Sequence, residues 1–262
     1  MNVEKGKLIV VEGTDGSGKT VQTNLLLEKL LQKGYQVQMT DFPQYGRSFF
    51  ANLIEKYLKG EFGWPQELRD HLKNYPLTTV KNSASDNDRT EHHIESRPDE
   101  VNPYLTSILY AGDRWEAKNQ MQKWLDEGKI IISNRYVCSN MAHQGAKVNG
   151  TMERKEFFEW IDELEYKVYS VPRPDLTIYL HVPIEISQGL IKTRIKESEG
   201  LKSAADLHEE DIEYMKRVQN TYTTLAASDN SWCTIECAKD NQIKTREEIT
   251  EEVWVAVSTA LT

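Results

Sequence analysis

Gly13-Thr14-Asp15-Gly16-Ser17-Gly18-Lys19-Thr20 is the stretch that decides how this chain reads. Glycine, four residues, then Gly-Lys-Thr is the phosphate-loop pattern. Residues 7–12 before it, Lys-Leu-Ile-Val-Val-Glu, form a short apolar strand, and residues 21–31 after it carry apolar side chains at helical spacing. Strand, glycine turn and helix are the context that this pattern needs. Glycines let successive backbone N–H groups converge on one anion, and the helix N-terminus adds partial positive charge. Lys19 supplies a mobile charge for the β- and γ-phosphates, and Thr20 a hydroxyl for Mg²⁺. By itself the octet implies binding of a nucleoside triphosphate through residues 13–20.

Outward from that loop, strands and helices alternate. Strand candidates fall at 7–12, 36–42, 129–134, 176–182 and 232–237. Amphipathic segments fall at 20–33, 47–59, 102–127, 154–169, 184–196, 206–226 and 245–261. Such alternation predicts a parallel sheet covered on both faces. Right-handed crossovers then bring the C-terminal strand ends to one rim, where a ligand belongs. Residues 13–20, 41–43 and 134–136 all end strands on that rim. From about 73 to 100 the chain turns polar and rich in Asn, Ser, Asp, Arg and His, which reads as a solvated insertion. His92 and His93 within it lack the partners of a metal site.

The chain has 262 residues, 39% of them hydrophobic, and a formal net charge of −9. That balance argues against a nucleic-acid-binding surface. Residues 1–6 are polar, the apolar run at 8–11 is too short for a signal sequence, and no stretch reaches membrane-spanning length. A cytoplasmic protein is expected. Cys138, Cys233 and Cys237 are odd in number and without metal-ligand spacing, consistent with reduced thiols.

Three further motifs carry chemistry. Asp41-Phe42-Pro43-Gln44-Tyr45-Gly46-Arg47-Ser48 closes the second strand. Tyr110-Ala111-Gly112-Asp113-Arg114-Trp115 lies within a long helix, where Tyr110 and Arg114 share a face and suit a base by stacking and hydrogen bonding. Asn134-Arg135-Tyr136-Val137-Cys138-Ser139-Asn140-Met141-Ala142-His143 follows the third strand. Its Arg135, opposite the phosphate loop, suits bidentate phosphate binding.

In order and spacing, these motifs resemble those of the thymidylate kinases. The family's patterns are Glu-Gly-x-Asp-x-x-Gly-Lys, a Phe-Pro turn, an aromatic-x-x-x-Arg helix and Asp-Arg-Tyr-x-x-Ser. The resemblance covers about 5–62 and 100–240, including Pro174-Asp175-Leu176 before the fourth strand. It implies a three-layer α/β phosphate-loop kinase fold: one domain over 1–262 with a five-stranded parallel sheet, helices on both faces, a lid at about 190–207 and the insertion at 73–100. It implies transfer of the γ-phosphoryl of MgATP to dTMP, giving dTDP and ADP, by a homodimer acting on small nucleotides.

The implied roles follow position by position. Gly13, Thr14, Asp15, Gly16, Ser17, Gly18, Lys19 and Thr20 hold ATP, with Thr20 toward the metal. Asp15 sits near the sugar 3′-hydroxyl and the acceptor phosphate. Phe42, Pro43 and Tyr45 border the acceptor. Tyr110 stacks on the base, Arg114 donates to its carbonyl, and Ser139 and Asn140 line its edge. Arg135 grips the phosphate. Position 16, where some relatives carry a catalytic arginine, is glycine, so the transferring phosphoryl needs a lid cation, best supplied by Arg194. Asn134 stands where the family has aspartate, leaving the metal to Thr20, the phosphates and Asp15 or Glu12. His143 stands where the family has an aromatic beside the sugar 2′ position, which loosens the exclusion of ribose. Another monophosphate or deoxynucleoside kinase, or a catalytically weak nucleotide-binding protein, remains the alternative.

Overall fold

A computed structural model describes residues 5–58, 102–197 and 212–261, with side chains at 194–197 excepted. The insertion at 73–100, with His92 and His93, lies outside the described residues, as does the lid region from 198 to 207.

Five parallel strands form the sheet: β1 (Leu8–Glu12), β2 (Val37–Asp41), β3 (Ile130–Asn134), β4 (Leu176–His181) and β5 (Trp232–Glu236), in the order β2-β3-β1-β4-β5. The central strands read as continuous apolar runs because both their faces are covered; every residue of β1 and β3 is buried. Alternation divides them between two cores. Ile9 and Val11 pack with Leu26 and Leu30 of α1 (Lys19–Gln32) and with Ile249 and Val253 near the chain's end. Leu8 and Val10 pack on the other face with Met121 and Leu125 of a long helix and with Phe157 and Ile161.

The expected helices are present. α2 is Phe49–Leu58, α3 Pro103–Asp126, and α4 the unforeseen Val137–Gly145. α5 is Thr151–Asp162, widening into a π-helical turn at Glu163–Val168. α6 is Ile184–Glu197, α7 Ile212–Ser228 and α8 Arg246–Ala260. A two-stranded ribbon, Ala238–Lys239 against Gln242–Ile243, also escaped the pattern reading. Its turn puts Asp240 and Asn241 at φ 50° and 59°, the left-handed pair of a tight hairpin.

α2 lies close on α3 because Gly112 has no side chain: a Cβ there would stand 2.5 Å from the Phe50 ring. The connection leaving β1 runs past β3 to β2, and the one leaving β3 runs past β1 to β4, so the two diverge from neighbouring strands. The C-terminal ends of β1, β2 and β3 therefore open onto one crevice, the binding position of such sheets.

Candidate active site

Residues 13–20 wrap the end of β1. Gly13 (φ 151°) and Gly16 (φ 77°) adopt backbone that side chains disfavour. At Gly16 a Cβ would also stand 2.6 Å from the Ser187 carbonyl oxygen of α6. An arginine in that slot is therefore excluded sterically as well as by sequence. α1 starts at Lys19 with no side-chain cap and no acid in its first turn, so its leading N–H groups remain available to an anion.

Lys19 is buried, and its ammonium donates to the carbonyls of Gly13 and Thr14, both at 2.9 Å. It stands 3.8 Å from Asp15 Oδ1. Burial, then the neighbouring Arg135, pushes its pKa down to about 8. Across the crevice Arg135 donates through Nη2 to Asp15. Burial works against its charge, but Asp15 more than offsets it and holds the guanidinium above its ordinary pKa. Arg135 Nη1 lies 3.4 Å from Ser139 Oγ and 3.3 Å from His143 Nε2.

Glu12 explains how α4 forms with no polar N-cap of its own. Tyr136, the N-cap residue, makes no side-chain cap. Glu12 instead reaches across from β1 and accepts from the N–H groups of Tyr136 (2.8 Å) and Ser139 (3.1 Å), from Ser139 Oγ (2.6 Å) and from Tyr222 Oη of α7 (3.0 Å). This is a helix cap supplied at a sequence distance of more than 120 residues. Burial, the largest influence, raises the Glu12 pKa despite those donors. With no exposed surface and four donors, Glu12 is not open to a metal.

On the acceptor side, Asp113 fixes the Phe-Pro turn: it accepts from Gln44 N (2.9 Å) and Ser48 Oγ (2.5 Å). Phe42 is buried, its ring 5.7 Å from that of Tyr136, so it supports the wall from behind. Pro43 is half-buried, and Tyr45 is 48% exposed at the mouth.

Tyr110 is half-buried one turn before Arg114 on α3. Arg114 is 2% exposed. Its Nε and Nη2 each lie 2.5 Å from an oxygen of Glu165, which the π-helical turn carries inward. Asn140 Nδ2 donates to Glu165 Oε1 (3.2 Å) and to the Ser107 carbonyl (3.1 Å). Both amide protons have acceptors, which fixes the orientation and leaves Asn140 Oδ1 buried without a partner. Gln144 Oε1, one turn on, is likewise unpartnered. The Phe-Pro turn, α3 and α4 thus enclose one side of the crevice while the phosphate loop forms the other. Glu165 and Tyr222 were absent from the sequence reading, and Glu12 was named there as a metal-side carboxylate rather than as the cap of α4. Asp113 carried a signal only through its place inside the Tyr110–Arg114 motif.

His143 is held by α7: Tyr214 Oη donates to its carbonyl at 2.9 Å and lies 3.5 Å from Nδ1. Arg194 falls in the last turn of α6, and its side chain lies outside the described residues. Cys138, Cys233 and Cys237 are free thiols. No described helix is long and apolar enough to cross a membrane.

The family model for thymidylate kinase matches residues 11–73 and 84–249. The chain belongs to the thymidylate kinase family. Relatives include the probable thymidylate kinase of Thermococcus onnurineus, 32% identical over 219 residues and 83% of each chain. The thymidylate kinase of Mycobacterium tuberculosis is 27% identical over 84% of this chain and 86% of its own. A solved thymidylate kinase from Candida albicans superposes with a TM-score of 0.64 at 22% identity, over 97% of this chain and 92% of that one. The five-stranded parallel sheet and the flanking helices agree with that fold. As a member of the family the chain is a nucleotide kinase that carries out ATP-dependent phosphoryl transfer.

Proposed function

We propose that this enzyme transfers the γ-phosphoryl of MgATP to dTMP, with the residues above in the roles their positions give them. The observation that carries the acceptor assignment is the fixed amide of Asn140. Its unpartnered oxygen accepts from an N–H, and the remaining Arg114 nitrogen, Nη1, donates to a carbonyl. Thymine offers N3–H beside O4. Cytosine offers the reverse pattern at both positions, and would leave buried polar groups unpaired.

Phosphoryl transfer asks for in-line placement and charge neutralisation. The uncapped α1 terminus and the backbone of residues 13–20 hold the donor phosphates. Lys19 exchanges its two carbonyl contacts for phosphate oxygens. Arg135 exchanges Asp15 for the acceptor phosphate, which frees the Asp15 carboxylate toward the sugar 3′-hydroxyl. Tyr110 stacks on the base, with Phe42 and Pro43 behind and Ser139 beside it. The lid at 190–207 closes with Arg194 over the transferring group and excludes water, which would otherwise take the phosphoryl.

The Thr20 hydroxyl and the orphaned Asn134 Oδ1 beside it are hard oxygen donors, which fit Mg²⁺. Mg²⁺ held by these residues would supply positive charge to neutralise the donor phosphates. The same reading takes 1–262 as a single domain with an insertion at 73–100, acting as a cytoplasmic homodimer.

Arg135→Ala tests the assignment. Turnover is expected to fall on the order of 10³-fold with the unfolding free energy nearly unchanged. Turnover like that of the unaltered enzyme removes Arg135 from the mechanism.

A further inference from the structure

Phosphate-loop enzymes hold their metal with the loop Ser/Thr and with an aspartate on a neighbouring strand. Here β3, the strand beside β1, ends in Asn134. That residue is 8% exposed, with Nδ2 3.4 Å from Thr20 Oγ1 and Oδ1 unpartnered. An amide can accept a hydrogen bond from metal-bound water but brings no charge.

Three carboxylates lie near enough to act on the Lys19 ammonium: Asp15, Glu12 and Asp41. Glu12 is committed to capping α4; Asp15 pairs with Arg135 in the empty site and turns to the sugar 3′-hydroxyl once the acceptor phosphate releases it. Asp41 forms no ion pair among the described residues. It ends β2, and the parallel ladder pairs it directly with Asn134, one strand spacing of about 4.8 Å away.

Side chains at paired positions project to the same face. Ile130 and Ile132 of β3 and Val37 of β2 all pack into the core beneath α1. By alternation, Asn134 and Asp41 share that face, at the end nearest Thr20. Asp41 is solvent-exposed at the rim; partial burial still raises its pKa, and Arg135 and Lys19 oppose the rise.

We infer that Asp41 supplies, on the metal side of the site, the negative charge that Asn134 lacks, by accepting hydrogen bonds from metal-bound water. The charge has moved one strand outward along the same rim. This role rests on the MgATP reading above.

Mn²⁺ in place of Mg²⁺ gives a readout independent of turnover. Its dissociation constant from the enzyme–ATP complex is measured by electron paramagnetic resonance for the unaltered enzyme, Asp41→Asn, and Asp41→Asn with Asn134→Asp. Thermal melts confirm that each is folded. Asp41→Asn is expected to weaken Mn²⁺ binding on the order of tenfold and to leave metal-free ATP binding unchanged. Adding Asn134→Asp is expected to restore most of the loss. An Asp41→Asn affinity within about twofold of the unaltered value, or no recovery in the double variant, overturns the inference alone. Failure of the unaltered enzyme to hold Mn²⁺ more tightly than free ATP does overturns the metal reading itself.

Discussion

Lys19 is held charged at a place that disfavours its charge, and removing it should stabilise the empty enzyme. Its pKa falls from the usual 10.5 to about 8, and each unit is 1.36 kcal/mol, so the buried ammonium costs about 3 kcal/mol below pH 8. Lys19→Met keeps the stem but loses two hydrogen bonds to loop carbonyls, worth about 1–2 kcal/mol once water replaces them. The net expectation is a nucleotide-free variant more stable by about 1–2 kcal/mol at neutral pH, melting roughly 3–5 °C higher. The pH dependence fixes the cause. Below pH 8 both folded and unfolded states carry the proton, so the penalty is complete. Between about 8 and 10.5 the unfolded chain binds more protons, so stability of the unaltered enzyme rises with pH. The variant lacks that rise. Urea unfolding of both proteins from pH 7 to 10 reads the difference. A variant less stable than the unaltered enzyme, or a difference constant across that range, refutes the reasoning.

Two other substitutions probe the acceptor side. Glu165→Gln leaves the buried Arg114 without its counter-charge and should cost about 3 kcal/mol in urea unfolding. Arg114→Met with Glu165→Leu should recover most of that stability while dTMP affinity stays lost; recovery of both would make the pair purely structural. His143→Phe restores an aromatic ring beside the sugar and should raise the preference for dTMP over its ribose analogue roughly tenfold in kcat/KM. An unchanged ratio would remove position 143 from sugar selection.

What was legible in the sequence was whatever is encoded by neighbours along the chain. The octet at 13–20, the apolar runs of β1, β3 and β4 and the helical spacing of α1 and α3 each sit in one continuous segment, and their expected limits lie within a residue or two of those observed. α4 was missed because its cap, Glu12, belongs to another strand, and a search for Ser, Thr, Asp or Asn at position 136 finds tyrosine. The Arg114–Glu165 pair was missed for the same reason. The π-helical turn that brings Glu165 inward has no local signature, and a glutamate on an amphipathic helix reads as solvated. The packing of the Phe42 ring against Tyr136 joins residues distant in the chain, so it too had no local signal. The substitution at 134 was visible at once. The Asp41 that lies beside it became visible only through the strand register.

The most direct measurement is ADP release with MgATP and a panel of dTMP, dUMP, dCMP, dGMP, the ribose analogue of dTMP, and thymidine. The account predicts dTMP as the best acceptor, measurable turnover with dUMP, and neither dCMP nor thymidine accepted. The first exclusion follows from the fixed Asn140 amide, and the second from the phosphate that Arg135 requires. Preference for dCMP, a purine monophosphate or thymidine would contradict it.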